Sequence, residues 1–213
     1  PTPVVYFSLH TLKPDAAVMI TGSHNPPAYN GFKLCVGSET LYGSAIQEIR
    51  SVIENQSFSE GNGSVSHQAL VPAYQDYLRK HFSFARACTV AIDAGNGTGG
   101  EVLLPVLQEL GIRVVPLNCT MDGRFPVHHP DPTIPENLAE LRAVVRTHHL
   151  DLGIAFDGDA DRIGVVDDQG EIVWGDKLLL VYARAVLASS SGATVIGDVK
   201  CSSLLFDDIE HHG

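Results

Sequence analysis

The sequence DGDADR, at residues 157–162, alternates three aspartates with small residues. A tight loop of this composition can turn the carboxylates of Asp157, Asp159 and Asp161 onto one centre, where their repulsion would be costly without a cation. Oxygen-only ligands of this kind suit Mg²⁺ or Ca²⁺. An EF-hand loop does not fit, because Arg162 stands where that loop requires glycine. A solvated acidic turn is the alternative, but the concentration of acids favours a metal site, beside which Arg162 could clamp a phosphate.

A second candidate is the serine loop TGSHNPP at residues 21–27. It lacks the second glycine of the G-x-S-x-G elbow, whose place is taken by Asn25. The adjacent Ser23 and His24 need not face each other, so a hydrolase triad is unsupported and an ordinary turn remains the alternative. A phosphoryl group on Ser23 would carry about −1.5 to −2 charges and would offer oxygen atoms to a cation. Lys33 follows an Asn-Gly turn that could carry it back toward the serine, although it could equally be a surface lysine.

A third candidate is the glycine-rich stretch DAGNGTGG at residues 93–100. Gly95, Gly97 and Gly100 fit the G-x-G-x-x-G pattern of dinucleotide-binding proteins, between a predicted strand and a predicted helix. The next strand, however, ends in Asn118, where an acidic residue should hold the ribose. We therefore favour a structural turn over a nicotinamide site.

Apolar strand-like runs alternate with segments of helical periodicity along most of the chain, which predicts an α/β fold. Strands are expected at 17–20, 89–93, 112–117, 151–156 and 194–199, with a hairpin at 163–167 and 171–174. Helices are expected at 45–53, 74–78, 99–110, 178–187 and 204–209. The helix at 178–187 is almost entirely apolar and is expected to be buried. Thr133 and Glu136 have the spacing of a capping box for one further helix.

The composition limits the classes of partner. The chain has 213 residues, of which 44% are hydrophobic and 18% charged, so a packed core is feasible. Its net charge of −11 argues against a nucleic-acid surface. It contains no apolar run long enough for a membrane span. The four cysteines form no C-x-x-C pair, so we expect free thiols in a cytoplasmic protein.

Four stretches resemble the α-D-phosphohexomutases, and most closely their bacterial phosphomannomutase/phosphoglucomutase branch: TGSHNPPAYNGFK, DAGNGTGG, DGDADRIGVVD and GDVKCSS. The resemblance extends through nearly the whole chain and includes HHPDP and PENL. It implies successive mixed-sheet α/β domains. They are the C-terminal part of a first domain at 1–66, a second at 67–171 and the start of a third at 172–213. Since family members have four domains, the resemblance also implies an incomplete set, and hence a portion of a longer chain.

The resemblance also implies a role for each site residue. Ser23 matches the serine that is phosphorylated in the active enzyme, and one phosphoserine oxygen would complete the Mg²⁺ site formed by Asp157, Asp159 and Asp161. The other matched residues are His24 and Lys33 as catalytic groups, with Lys33 as the general acid/base, and Arg162 and Lys200 as substrate-binding groups.

The reaction implied by the resemblance interconverts hexose 6-phosphates and hexose 1-phosphates, with mannose or glucose as the sugar. It passes through hexose 1,6-bisphosphate, which also serves as activator. The implied partners are sugar phosphates, with no nucleic acid or membrane, and no oligomer is implied. Two alternatives stay open: a Mg²⁺-dependent phosphatase and a non-catalytic fragment that binds a divalent cation. Against the first, Asp161 stands where the haloacid-dehalogenase pattern has Thr or Val.

Overall fold

The computed structural model describes residues 1–212, which contain seven α-helices and eight β-strands. The helices are α1 (Thr2–Thr11), α2 (Ser44–Glu54), α3 (Leu70–His81), α4 (Gly99–Glu109), α5 (Ala139–His148), α6 (Gly175–Ser189) and α7 (Ser203–His212). The strands are β1 (Ala16–Ile20), β2 (Phe32–Val36), β3 (Glu39–Thr40), β4 (Thr89–Asp93), β5 (Arg113–Leu117), β6 (Leu152–Phe156), β7 (Ile163–Val166) and β8 (Ile172–Val173). A 3₁₀ turn, Pro135–Leu138, precedes α5. The α/β prediction is confirmed.

The first sheet is a small antiparallel one in the order β1-β2-β3. Its register pairs Ile20 with Phe32 and Met19 with Lys33. The backbone N–H of Thr21 donates to the carbonyl oxygen of Gly31 at 3.0 Å and closes the loop between the two strands. The pairing therefore returns Lys33 to the base of the loop that carries the serine.

The second sheet has the order β5-β4-β6-β7-β8, in which β4, β5 and β6 are parallel and the last two strands run antiparallel to their neighbours. The register places Asp93, at the end of β4, beside Ala155 of β6. Since parallel strands end at the same edge of a sheet, the glycine-rich turn and the acidic loop emerge side by side.

One face of this sheet is covered by α5, whose Leu141 and Val145 are fully buried against Ala155 and its neighbours. The helix rests directly on the backbone of Gly153. A Cβ at Gly153 would lie 2.8 Å from Cγ2 of Val145 and 3.0 Å from Cδ1 of Leu141. The absence of a side chain on β6 thus sets how closely the helix approaches the strand behind the acidic loop.

Most predicted elements are confirmed, but α1, β2 and β3 were not predicted. The strand predicted at 194–199 is wrong: the segment pairs with no strand of the described chain, and Ile196 and Val199 are 87% and 97% exposed. The prediction of a buried helix at 178–187 is half wrong. The helix is present as α6, but Val181 and Tyr182 are about half exposed. Apolar composition predicts burial only where a neighbouring element covers it.

The capping box predicted for Thr133 and Glu136 is also wrong. The Thr133 hydroxyl donates to Oδ1 of Asp131 at 2.7 Å, and the backbone N–H of Thr133 donates to the same oxygen at 3.0 Å. The chain then forms the 3₁₀ turn before α5 begins at Ala139. No helix among residues 1–212 has the length and apolar character needed to span a membrane.

We predict that Gly153→Ala lowers the free energy of unfolding by about 1–3 kcal/mol, because the added methyl group forces α5 away from β6. Urea denaturation followed by circular dichroism measures the change. Gly61→Ala is the matched control, since a Cβ at Gly61 meets nothing within 4 Å. Equal stability of the two variants would contradict the close packing of α5 on Gly153.

Candidate functional site

Three aspartates converge in the loop that follows β6. Carboxylate oxygens of Asp157, Asp159 and Asp161 lie within 4.8 Å of one another. The first two are 0% and 1% exposed, whereas Asp161 is exposed at the rim. The loop is folded around Asp157 itself, whose Oδ1 accepts hydrogen bonds from the backbone N–H groups of Asp161 at 3.0 Å and Arg162 at 3.1 Å.

The serine loop lies directly against this acidic loop. The Ser23 hydroxyl donates to Oδ2 of Asp157 at 2.8 Å and lies 3.2 Å from Nδ1 of His24. Ser23 has φ +53°, a left-handed backbone conformation that is uncommon outside glycine and is frequent at functional sites. A Cβ at Gly158 would overlap the Ser23 carbonyl oxygen, so the two backbones touch. The structure thus brings together two loops that are far apart in the sequence.

Lys33 reaches the acids from β2. Its Nζ lies 2.7 Å from Oδ2 of Asp159 and 2.5 Å from Oδ2 of Asp161. Burial lowers the pKa of Lys33, but the hydrogen bonds to the two carboxylates outweigh it and leave that pKa above its ordinary value. Lys33 is therefore an ammonium group that supplies positive charge to the cluster.

The acids have different electrostatic environments. Burial raises the pKa of Asp157, and the neighbouring carboxylates raise it further. Burial also acts to raise the pKa of Asp159, but hydrogen bonds from Lys33 and Thr2 hold it at about 2. Oδ1 of Asp159 is buried and has no hydrogen-bond partner among the described residues. A buried carboxylate oxygen without a donor, beside two further carboxylates, fits the oxygen ligand set of a hard divalent cation.

The two predicted substrate-binding residues have different positions. Nε of Arg162 lies 3.8 Å from a carboxylate oxygen of Asp157 and equally far from one of Asp161, so Arg162 borders the cluster. Lys200 has an 85% exposed side chain, and its Nζ lies 3.7 Å from Asp198. No described hydrogen bond or ion pair joins Lys200 to the acidic loop.

Thr2 is a site residue that the sequence analysis missed. It is fully buried, and its hydroxyl donates to Oδ2 of Asp159 at 2.6 Å, while its backbone N–H donates to the Asp159 carbonyl oxygen at 2.9 Å. It opens α1, a helix that was not predicted. A hydroxyl residue at a helix start was the one available signal, and it does not indicate a partner so distant in the chain.

The glycine-rich turn contacts the backbone of the acidic loop. A Cβ at Gly97 would lie 2.6 Å from the carbonyl oxygen of Gly158, and the backbone N–H of Thr98 donates to that oxygen at 3.0 Å. Asn118, which stands where a ribose-binding acid was sought, donates to Oδ1 of Asp93 at 3.2 Å. Both observations agree with the interpretation of this stretch as a structural turn.

We predict that Thr2→Val lowers the free energy of unfolding by about 1.5–3 kcal/mol at pH 7 without added metal, because it removes a hydrogen bond to a buried carboxylate. The Asp159 pKa is about 2 in the folded chain and about 3.9 when unfolded. The stabilisation linked to its charge is therefore complete above about pH 3.9 and is lost as the pH falls through about 2.

Chemical denaturation at several pH values measures this effect, and the difference between wild type and Thr2→Val should shrink at low pH. Thr11→Val is the matched control on the same helix, since the Thr11 hydroxyl bonds only to the exposed carbonyl group of Phe7. A Thr2→Val effect no larger than that of Thr11→Val would contradict the assigned contact.

Comparison with known proteins agrees with the geometry. Two family models match the chain: Phosphoglucomutase/phosphomannomutase, alpha/beta/alpha domain I, at residues 1–60, and domain II at residues 72–170. A phosphomannomutase/phosphoglucomutase of Pseudomonas aeruginosa and a phosphoglucomutase of Neisseria gonorrhoeae are each 45% identical to the chain. Both matches cover 100% of this chain but 46% of the relative, so the chain spans just under half the length of these relatives.

Among solved structures, a phosphoglucomutase/phosphomannomutase family protein from Burkholderia thailandensis superimposes with a TM-score of 0.95 at 36% sequence identity. The match covers 100% of this chain and 48% of that one. Both family models fit in their expected order, and the three-dimensional match extends over the whole chain. The chain therefore belongs to the phosphoglucomutase/phosphomannomutase family.

Proposed function

We propose that this protein is a phosphohexomutase that interconverts hexose 6-phosphates and hexose 1-phosphates through a phosphoserine at Ser23. The observation that carries the proposal is the contact between the Ser23 hydroxyl and Asp157 at 2.8 Å. It places a potential phosphate carrier on a cluster of acids, and those acids need a cation. Neither loop has that capacity alone.

The metal site of the proposal consists of Asp157, Asp159 and Asp161, with the Ser23 phosphoryl group as the fourth source of oxygen. These residues fit Mg²⁺, because their carboxylates converge within 4.8 Å and Asp159 has a buried oxygen without a donor. When bound, Mg²⁺ would act as a Lewis acid that polarises the phosphoryl group and neutralises charge on the serine oxygen. Residues of this chain orient the reacting oxygen and transfer its proton.

In the forward direction, phosphoserine transfers its phosphoryl group to a free hydroxyl of the hexose phosphate. The P–O bond to Ser23 breaks, a P–O bond to the sugar forms, the sugar hydroxyl loses its proton and the serine oxygen gains one. The product is hexose 1,6-bisphosphate. It reorients in the site and returns its other phosphoryl group to Ser23. The positions of phosphate are thereby exchanged without consumption of nucleotide.

We assign the proton transfer to Lys33 and a supporting role to His24. The raised pKa of Lys33 keeps it an ammonium group, which can donate a proton to the departing Ser23 oxygen and, as the resulting amine, accept the proton that the sugar hydroxyl loses. His24 holds its Nδ1 3.2 Å from the Ser23 hydroxyl and can orient that oxygen. Arg162, at the border of the acidic cluster, is suited to bind a phosphate of the substrate. The substrate-binding role of Lys200 stays a prediction, and its contact in the structure is with Asp198.

The proposal extends to the substrates and the setting. The substrates are phosphates of glucose or mannose, with hexose 1,6-bisphosphate as intermediate and activator. We place the phosphoserine loop in a domain at 1–66, the metal loop in a domain at 67–171, and the start of a third domain at 172–213. We also place the protein in the cytoplasm, where thiols stay reduced. All four cysteines are free thiols, which supports this location.

We predict that Ser23 becomes phosphorylated when the protein is incubated with ³²P-labelled glucose 1,6-bisphosphate and Mg²⁺. Mass spectrometry of a protease digest locates the label. Ser23→Ala should take up no label, because the accepting oxygen is gone. Ser38→Ala, which alters an exposed serine in the turn between β2 and β3, is the control and should be labelled like wild type.

The same experiment separates the alternatives. A phosphatase of the aspartyl-phosphate type would carry the label on Asp157. A non-catalytic module that binds a divalent cation would carry none. Label on Ser38 or another serine, with Ser23→Ala unaffected, would contradict the proposal.

We predict that Asp159→Asn weakens Mg²⁺ binding by more than about tenfold, since loss of even a residue that only supports a metal ligand costs about 10–100-fold. Isothermal titration calorimetry measures the affinity without reliance on turnover. Asp168→Asn is the control, because Asp168 is exposed in the turn between β7 and β8. Equal affinities of the two variants would exclude Asp159 as a ligand.

A further inference from the structure

His128 lies between a carboxylate oxygen and a backbone carbonyl oxygen. Its Nε2 is 3.0 Å from Oδ2 of Asp93, and its Nδ1 is 3.0 Å from the carbonyl oxygen of His129. Asp93 is fully buried, and the side chain of His128 is 17% exposed. The His129 carbonyl oxygen also accepts a hydrogen bond from the backbone N–H of Asp131 at 2.8 Å. A neutral imidazole has one donor and one acceptor, so it can donate to only one of the two oxygens. Both contacts are hydrogen bonds only if the ring carries two protons.

Both side-chain oxygens of Asp93 have hydrogen-bond partners. Its Oδ1 accepts hydrogen bonds from the backbone N–H of Gly95 at 2.9 Å and from Nδ2 of Asn118 at 3.2 Å, which leaves Oδ2 for His128. The hydrogen bond to Asp93 raises the pKa of His128 and outweighs the opposing effect of burial, and the more distant Glu140 also raises it. The pair lies at the edge of the sheet with Asp93 fully buried, and both oxygens of its carboxyl group are engaged in hydrogen bonds.

The segment that follows His128 is wedged between the glycine-rich turn and the acidic loop. A Cβ at Gly95 would lie 3.0 Å from Cβ of Pro130, and a Cβ at Gly158 would lie 3.5 Å from its Cγ. Between the anchored His128 and the packed Pro130 stands His129. Its position is therefore fixed from both sides.

His129 connects this segment to the serine loop through a contact with His24. Its ring packs edge-on against the ring of His24, with 6.5 Å between ring centroids and an interplanar angle of 72°. His24 in turn holds Nδ1 3.2 Å from the hydroxyl of Ser23. A continuous series of contacts thus connects the buried Asp93, through His128 and His129, with the serine loop.

We propose that His128 is a positioning residue, held as an imidazolium between Asp93 and the His129 carbonyl group, that fixes His129 against His24 and thereby orients the Ser23 oxygen. The functional part of this inference rests on the proposed role of Ser23. The charge state of His128 and the ring contact do not.

The charge state is tested by long-range ¹H–¹⁵N NMR of the protein at pH 7.5. An ordinary histidine, with a pKa of about 6.5, is then about 90% neutral. We expect both ring nitrogens of His128 to be protonated, with its signals assigned by their absence in His128→Gln. Asp93→Asn should convert the ring to its neutral form. A His128 ring with one unprotonated nitrogen in wild type would overturn the proposal.

The positioning role is tested by two substitutions that each keep one of the hydrogen bonds. Gln at position 128 can place a donor near the position of Nε2, so His128→Gln should stay folded and keep its bond to Asp93 but lose the bond to His129. We expect it to lose the nuclear Overhauser effect between the rings of His24 and His129, and to phosphorylate Ser23 about tenfold more slowly. His128→Asn keeps the other bond and should melt at a lower temperature, because it leaves Oδ2 of Asp93 buried without a donor.

The matched control is His148→Gln on the exposed side of α5, which should leave the ring contact and the phosphorylation rate unchanged. If His128→Gln retains both, His128 is structural and the positioning role is wrong. If wild type takes no phosphate on Ser23, the proposed function fails. The NMR measurements then still decide the charge of His128 and the contact that it supports.

Discussion

The concentration of negative charge in the acidic loop is the constraint around which the described structure is arranged. Asp157 and Asp159 are buried, and with Asp161 they form a cluster whose oxygens lie within 4.8 Å of one another. Such a cluster is tolerated only where donors and cations surround it. Each element near it supplies one: the start of α1 supplies Thr2, the end of β1 leads to Ser23, and β2 supplies Lys33.

This arrangement links the first part of the chain to the second sheet through polar contacts. The hydroxyl groups of Thr2 and Ser23 and the ammonium group of Lys33 all come from the first part of the chain, whereas the acids that they meet belong to the second. Bonds to charged groups are about twice as strong as those between neutral groups. The acidic cluster is therefore also the place where the two parts of the chain are connected by hydrogen bonds.

Glycine makes the close approach of the loops possible. At Gly158 the acidic loop touches the backbone of Ser23, and at Gly97 the turn after β4 touches Gly158 from the other side. Three backbone segments are thus stacked without intervening side chains. Rigid support of this kind suits the role of phosphoryl carrier that we propose for Ser23, because such a carrier must present its oxygen in a fixed geometry.

The sequence by itself determined the α/β class and most of the sheet of β4 to β8, because buried strands and amphipathic helices have strong local patterns. It also predicted a metal site at the three aspartates, since so many acids are rare in an ordinary loop, whereas the predicted role of Ser23 depended on the family resemblance. It failed for α1, whose β-branched and aromatic residues have low helix propensity, and for 194–199, where apolar residues found no strand to pair with.

Only the tertiary structure decided which groups meet. Local pattern cannot show that Thr2 bonds to Asp159, that Lys33 lies between two carboxylates, or that His128 has acceptors at both nitrogens. Each of these contacts but one joins residues that are distant in the chain. Their partners are set by strand register and by the close approach of glycine backbones, which are properties of the folded chain and not of any short segment.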